Sequence, residues 1–320
     1  MDRKYVEMVL SEYRLGEENV CSIFKQKSFS KTLDLIYSLP DADFNIVFSQ
    51  AKKFNRRPVL QDPWLNKNGL HVFRVVLSEA IYERESKEYY INPYIVEFCE
   101  NGIVRIPNIF NSKELKRISK SFYSLIGIQE PGRFNNWKNS YLKLSRADAV
   151  LYSVFENPYL STLFEMANAR EDYIYHDKRA ERLIHRNKDI QKQVHQDTFH
   201  PTMKFWLYMS DITKEQGPTM YVKGSNKNTL ERLEWEHRLA ADAHESGNKG
   251  IREGSFRISE REIKGLGYEA GLIQEPVDGN TLVIVNTRGF HARGEAEEGQ
   301  VRDSITGIFR MNPFWGGENV

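Results

Sequence analysis

The chain has 320 residues, 40% of them hydrophobic and 28% charged, which excludes disordered and collagen-like classes and leaves an ordinary globular protein. That length exceeds one average domain, so a principal domain with an accessory segment is expected. Forty-five Lys plus Arg against forty-four Asp plus Glu leave a formal charge of +1, so no global field recruits nucleic acid or an acidic membrane.

The N-terminus, Met1 to Tyr5, leads into mixed residues without the apolar core of a signal peptide. No apolar run approaches the roughly eighteen residues a membrane span needs, so the expected location is the cytoplasm. Cys21 and Cys99 show no metal-knuckle or redox spacing and read as buried free thiols of a reducing compartment. From Tyr5 to about Leu39, Val6, Met8, Val9, Leu10, Tyr13, Ile23, Phe24, Leu33, Leu35 and Ile36 fall at the mixed three-and-four spacings of amphipathic helices. A further helix is expected over Leu70 to Ser86, with Val72, Val75, Val76, Ala80 and Ile81 on one face. Residues 1–93 thus form a helical accessory segment that suggests no chemistry; the Arg56-Arg57 run reads as a solvated face.

The texture changes near Tyr94. Ile95-Val96-Glu97-Phe98 leads to Asn101-Gly102 and then Ile103-Val104-Arg105-Ile106, a strand after a turn. Asn111-Ser112 caps a helix. Strands follow around Arg182 to His185, Gln193 to Thr198, Met203 to Met209 and Thr219 to Val222. Residues 227–264 are charged and partly helical, an insertion expected to act as a lid. Strand character resumes at Gly271-Leu272-Ile273, Thr281 to Asn286 and Val301 to Met311. Many short strands with Gly, Pro and Asn turns predict a mainly β domain over 94–320, a jelly roll with flanking helices.

Within this frame, His195 and Asp197 occupy positions i and i+2 of a predicted strand and therefore share a face, as two ligands of one ion require. His291, just after the strand ending at Asn286, is the best placed third ligand. Two histidines and a carboxylate that leave positions open form the facial triad of Fe(II) oxygenases, whose free sites take a 2-oxo acid and O₂. Zn²⁺ accepts the same ligand types, so a jelly-roll hydrolase or isomerase stands as the alternative, with a ligand-binding jelly roll without catalysis as the second. Arg302, at the start of the last strand, matches the far carboxylate of 2-oxoglutarate through its guanidinium fork; pairing with Asp303 or another surface acid is the competing reading.

The segments His195-Gln196-Asp197, Phe205 to Ile212, Gln216-Gly217-Pro218, Val222 to Lys227 and Gly289-Phe290-His291-Ala292-Arg293-Gly294, followed by Arg302, resemble the phytanoyl-CoA dioxygenase family from about Tyr94 to Phe314. The resemblance implies a double-stranded β-helix, Fe(II) held by His195, Asp197 and His291, and Arg302 on the 2-oxoglutarate carboxylate. Trp206 matches a family tryptophan beside the cosubstrate, with plain core packing as its other reading. The founding member has a serine where this chain has Arg293, which directs Arg293 to the substrate instead. Halogenating relatives lack the carboxylate ligand, and its presence as Asp197 favours hydroxylation with release of succinate and CO₂. Gln193 and Thr219 are expected to line the pocket, and His200 either flanks the substrate mouth or is exposed in its loop. The expected substrate is a small molecule, an acyl compound or a glycan.

Overall fold

The β-branched runs of the second half assemble into a six-stranded antiparallel sheet in the computed structural model of the chain, which describes residues 1–15, 18–19, 29–127, 139–185 and 189–314. Its strands are β1 (Ile103–Ile106), β2 (Asn139–Lys143), β3 (Tyr175–Ile184), β4 (Met203–Tyr208), β6 (Leu282–Asn286) and β8 (Val301–Phe309), in the order β1-β6-β4-β8-β3-β2. A second, two-stranded sheet pairs β5 (Met220–Tyr221) with β7 (His291–Ala292), placing Tyr221 opposite His291. Isolated bridges widen this small sheet, joining His195 to both His291 and Arg257, and Tyr221 to Ile273.

All five residues of β6 are buried because the strand is covered on both faces. Leu282 and Ile284 enter one apolar cluster with Phe205, Leu207, Ile305 and Phe164, whereas Val283 and Val285 enter another with Tyr208 and Tyr221. The continuous apolar run is thus a strand with two cores.

Helices carry much more of the chain than a mainly β reading allows, about 43%, so the architecture is a mixed helix-and-sheet fold with an antiparallel sheet. The principal helices are α1 (Arg3–Glu12), α2 (Leu70–Ser86), α3 (Pro93–Asn101), α4 (Ser112–Gly127), α5 (Pro158–Asn168) and α6 (Leu230–Ala241). Asn111 caps α4 as expected, accepting from the amides of Lys113 and Glu114. Helix α2 spans the predicted residues, but it buries far more than one stripe: Leu70 through Tyr82 are all buried. Leu70, Val72, Phe73, Val75, Val76, Leu77, Ala80 and Ile81 pack with α1 and α6 in a core that also takes in Val194, Phe199, Met220, Phe290 and Ala292. A helical layer therefore covers the small sheet, and the accessory segment reaches residues flanking His195 and His291.

One expectation changes at the element level. Gln193 to Thr198 is not a strand: a short 3₁₀ turn (Ile190–Lys192) is followed by single bridges at His195. Successive amides there alternate between two segments, His195 and Asp197 donating to His291 and Thr287 of one loop and Gln196 to Phe256 of another, so no regular ladder forms. The 227–264 insertion contains α6, whose Arg232 and Glu236 are fully buried. Cys99 is buried, and burial pushes its thiol up to about 11; Cys21, Ile23 and Phe24 lie outside the described residues. No described helix is long and apolar enough to cross a membrane.

Candidate metal centre

The paired backbone bonds between His195 and His291, 3.0 and 2.9 Å, bring two loops 96 positions apart into register and set their imidazole rings 4.6 Å centre to centre. Asp197, held through its amide by the Thr287 carbonyl, turns its carboxylate toward them. Its Oδ1 lies 3.6 Å from His195 Nε2 and 4.0 Å from His291 Nε2. One ligand atom from each of the three residues lies within 4.8 Å of the other two.

Both rings are oriented from behind. His195 Nδ1 is 2.7 Å from the Gln193 carbonyl and His291 Nδ1 is 2.8 Å from the Gly289 carbonyl. Donation to those carbonyls puts the proton on Nδ1 and leaves each Nε2 lone pair facing the carboxylate, the arrangement that metal-bound histidines adopt. Gly289 has to lack a side chain, since a Cβ there would strike the Tyr221 hydroxyl.

Protonation states follow from burial and charge. Burial lowers His195 to about 3, with His291 adding to the effect, and burial likewise lowers His291. Burial opposes ionisation of Asp197, but the Lys204 ammonium leads the charges that outweigh it, and the carboxyl is held well below the usual range. Lys204 Nζ sits 2.5 Å from Asp197 Oδ2, leaving Oδ1 to the histidines. Two neutral imidazoles and a carboxylate are the donor set of the facial triad, so the residues fit a divalent iron.

The triad opens into a cavity of about 980 Å³ whose walls include Trp206, Thr219, Arg293 and Arg302. Arg302 is buried; one amino group donates to the Gly217 carbonyl at 2.8 Å, while its Nε has no hydrogen-bond partner among the described residues. Asp303, one of the acids the competing reading offers this arginine, pairs with Arg182 through two bonds of 2.9 and 2.8 Å. Thr219 Oγ1 meets the Tyr208 hydroxyl at 3.0 Å, and Trp206 is half-buried on the cavity wall. Arg293 lines the cavity but pairs with Asp189, and the exposed Gln193 reaches the site at its rim. His200 is buried, not exposed in a loop, and faces a neighbouring cavity. Lys204 is absent from the sequence reading although a signal existed: it is the one charge in the apolar run Met203 to Met209.

The chain belongs to the phytanoyl-CoA dioxygenase (PhyH) family, whose model matches residues 98–260. Iron, 2-oxoglutarate and O₂ are the reactants of this family's chemistry. No curated protein matches the chain. Among solved structures, similarity is found to the epimerase SnoN in complex with Fe³⁺, alpha ketoglutarate and nogalamycin RO. That match is 13% identical, covering 70% of this chain and 85% of that one at a TM-score of 0.48. HygX from Streptomyces hygroscopicus with nickel, 2-oxoglutarate and hygromycin B is 15% identical over 68% and 86% at 0.43. The alpha ketoglutarate dependent carbocyclase SnoK from nogalamycin biosynthesis is 15% identical over 68% and 82% at 0.45.

Proposed function

We propose that this protein is an Fe(II)- and 2-oxoglutarate-dependent hydroxylase of a small organic substrate. In this reading the two sheets are the halves of a double-stranded β-helix. His195, Asp197 and His291 hold the metal, and Arg302 holds the far carboxylate of 2-oxoglutarate. The observation that carries it is the convergence of the three donors, already in their ligating protonation states, in a cavity walled by a buried guanidinium with an unpaired Nε. The iron with its cosubstrate and O₂ supplies the insertion of one oxygen atom into a C–H bond, the other going into succinate formed with CO₂ from 2-oxoglutarate.

The chain's own residues bind and orient. The carbonyls of Gln193 and Gly289 keep the Nδ1 protons in place, and Lys204 occupies one carboxylate oxygen so that Asp197 offers the other. Arg302 supplies a charge-assisted, two-point bond that sets the direction of the cosubstrate. Trp206 and Thr219 bound that pocket, and Arg293, tethered by Asp189, stands on the substrate side. Anaerobic addition of Fe(II) and 2-oxoglutarate should develop the weak visible charge-transfer band of a chelated 2-oxo acid, and His195→Ala should abolish it. Full band intensity in that variant removes His195 from the site.

A further inference from the structure

A second cavity of about 610 Å³ adjoins the metal centre and shares Asp197 and Arg310 with it. Its lining is strongly basic, with Lys52, Lys53, Arg56, Arg57 and Arg310 against the single carboxylate of Asp197, itself engaged by Lys204. Among the described residues, no carboxylate lies within ion-pair distance of Lys53, Arg56, Arg57 or Arg310. Thr198, 5% exposed and on the cavity wall, has a buried hydroxyl with no hydrogen-bond partner. An unsatisfied buried hydroxyl costs free energy unless something fills its bond.

Of these cations Lys52 is tied beside the triad, while Arg56, Arg57 and Arg310 are exposed on the cavity's open side. Lys52 Nζ donates to the Asp197 backbone carbonyl and to Ser255 Oγ at 2.9 Å. Phe54, 2% exposed, stacks on Phe256 at 6.1 Å and anchors the turn that bears Arg56. Gly254, at φ +64, leaves room for the approaching Lys52 carbonyl. All of the basic residues lie outside the stretch 98–260 that matches the family model.

We propose that this cavity binds a phosphoryl group of the substrate, holding it beside the iron while a more distant carbon is oxidised; the proposal rests on the oxygenase reading above. Several unpaired cations exceed what one carboxylate needs, whereas a phosphate ester carries about −1.5 to −2 charges with three strong acceptors. Arginine forks match that geometry, and Thr198 Oγ1 supplies a further donor.

The test is calorimetric titration of the anaerobic protein, loaded with Fe(II) and excess 2-oxoglutarate, with inorganic diphosphate. One saturable site is expected, weakened at least ~10-fold in Arg56→Glu/Arg57→Glu and about 5-fold in Thr198→Val, roughly one lost hydrogen bond, with the 2-oxoglutarate band unchanged in each. No diphosphate binding, or equal binding by the charge-reversed variant, overturns the proposal. Citrate bound as tightly as diphosphate overturns the phosphoryl assignment. Failure of the visible band instead strikes the oxygenase reading, and diphosphate titration of the metal-free protein then still reads the cavity.

Discussion

Removal of the Arg302 guanidinium should weaken 2-oxoglutarate about 10- to 100-fold, the loss expected for a charge-assisted bond of ~1.5–3 kcal/mol, while iron binding stays intact. Titration of Arg302→Ala with the cosubstrate, followed by the charge-transfer band, checks this, and unchanged affinity would refute the anchor. Lys204→Met should act on the other reactant. The ammonium is the leading group that keeps the Asp197 carboxyl ionised, and loss of such a supporting partner typically costs 10–100-fold in metal affinity. Competition with a metal-sensitive dye reads that change directly. His185 gives the residue-scale pH effect. Burial, then Arg302, Arg293 and Lys192, lowers it from 6.5 to about 4. The unfolded chain therefore binds the proton first, and this residue's contribution is intact above pH 6.5 and lost as pH falls toward 4. Urea midpoints at pH 7 and pH 5 should differ less in His185→Gln than in the parent; parallel curves would refute the assignment.

At the scale of elements, α6 does what its charged sequence conceals. Arg232 donates to Glu236 at 3.0 Å, to the Gln196 side chain at 2.7 Å and to the Arg288 carbonyl at 2.8 Å. Gln196 stands between two of the proposed ligands, and Arg288 begins the loop of the third. His71 of α2 meets Glu236 at 2.9 Å, and Arg288 bonds the carbonyls of Phe199 and Asn226. A buried cluster thus ties α2, α6 and both metal loops together. Arg232→Met leaves Glu236 short of a counter-charge, a change worth on the order of 3–5 kcal/mol. Thermal unfolding should show a large loss of stability, and iron affinity should fall even where the variant remains folded. Replacing residues 227–264 by a Gly-Ser turn should for the same reason abolish cooperative unfolding, beyond any uncoupling of turnover that loss of a cover would bring.

For the whole molecule, the first ninety residues carry packing as well as the basic cavity. Phe73, Val75, Val76, Leu77 and Ile81 of α2 are all fully buried. At roughly 1.5–3 kcal/mol per buried side chain, they supply on the order of 10 kcal/mol, comparable to the net stability of a typical protein. A chain lacking residues 1–93 should show no cooperative thermal transition and no Fe(II)·2-oxoglutarate band. A sharp transition with an intact band would show that residues 94–320 fold alone.

What the sequence determined by itself is what local spacing can encode. The run from Leu70 to Ser86, the cap at Asn111 and the β-branched stretch before Asn286 each declare their element within a few residues. The His-x-Asp spacing and the later His291 and Arg302 were legible because their order and residue types, matched against the family pattern, point to one ion and one carboxylate. Tertiary structure decided the rest. The His195 segment reads as a strand, yet its amides are shared between two distant segments, a competition no local period reveals. Lys204 and Arg232 look like solvated charges in the same way as the Arg56-Arg57 run, yet only that run is exposed. Lys204 and Arg232 meet Asp197 and Gln196, 7 and 36 positions away, because the chain folds back on itself, and burial, absent from any linear pattern, then fixes how these charges are paired.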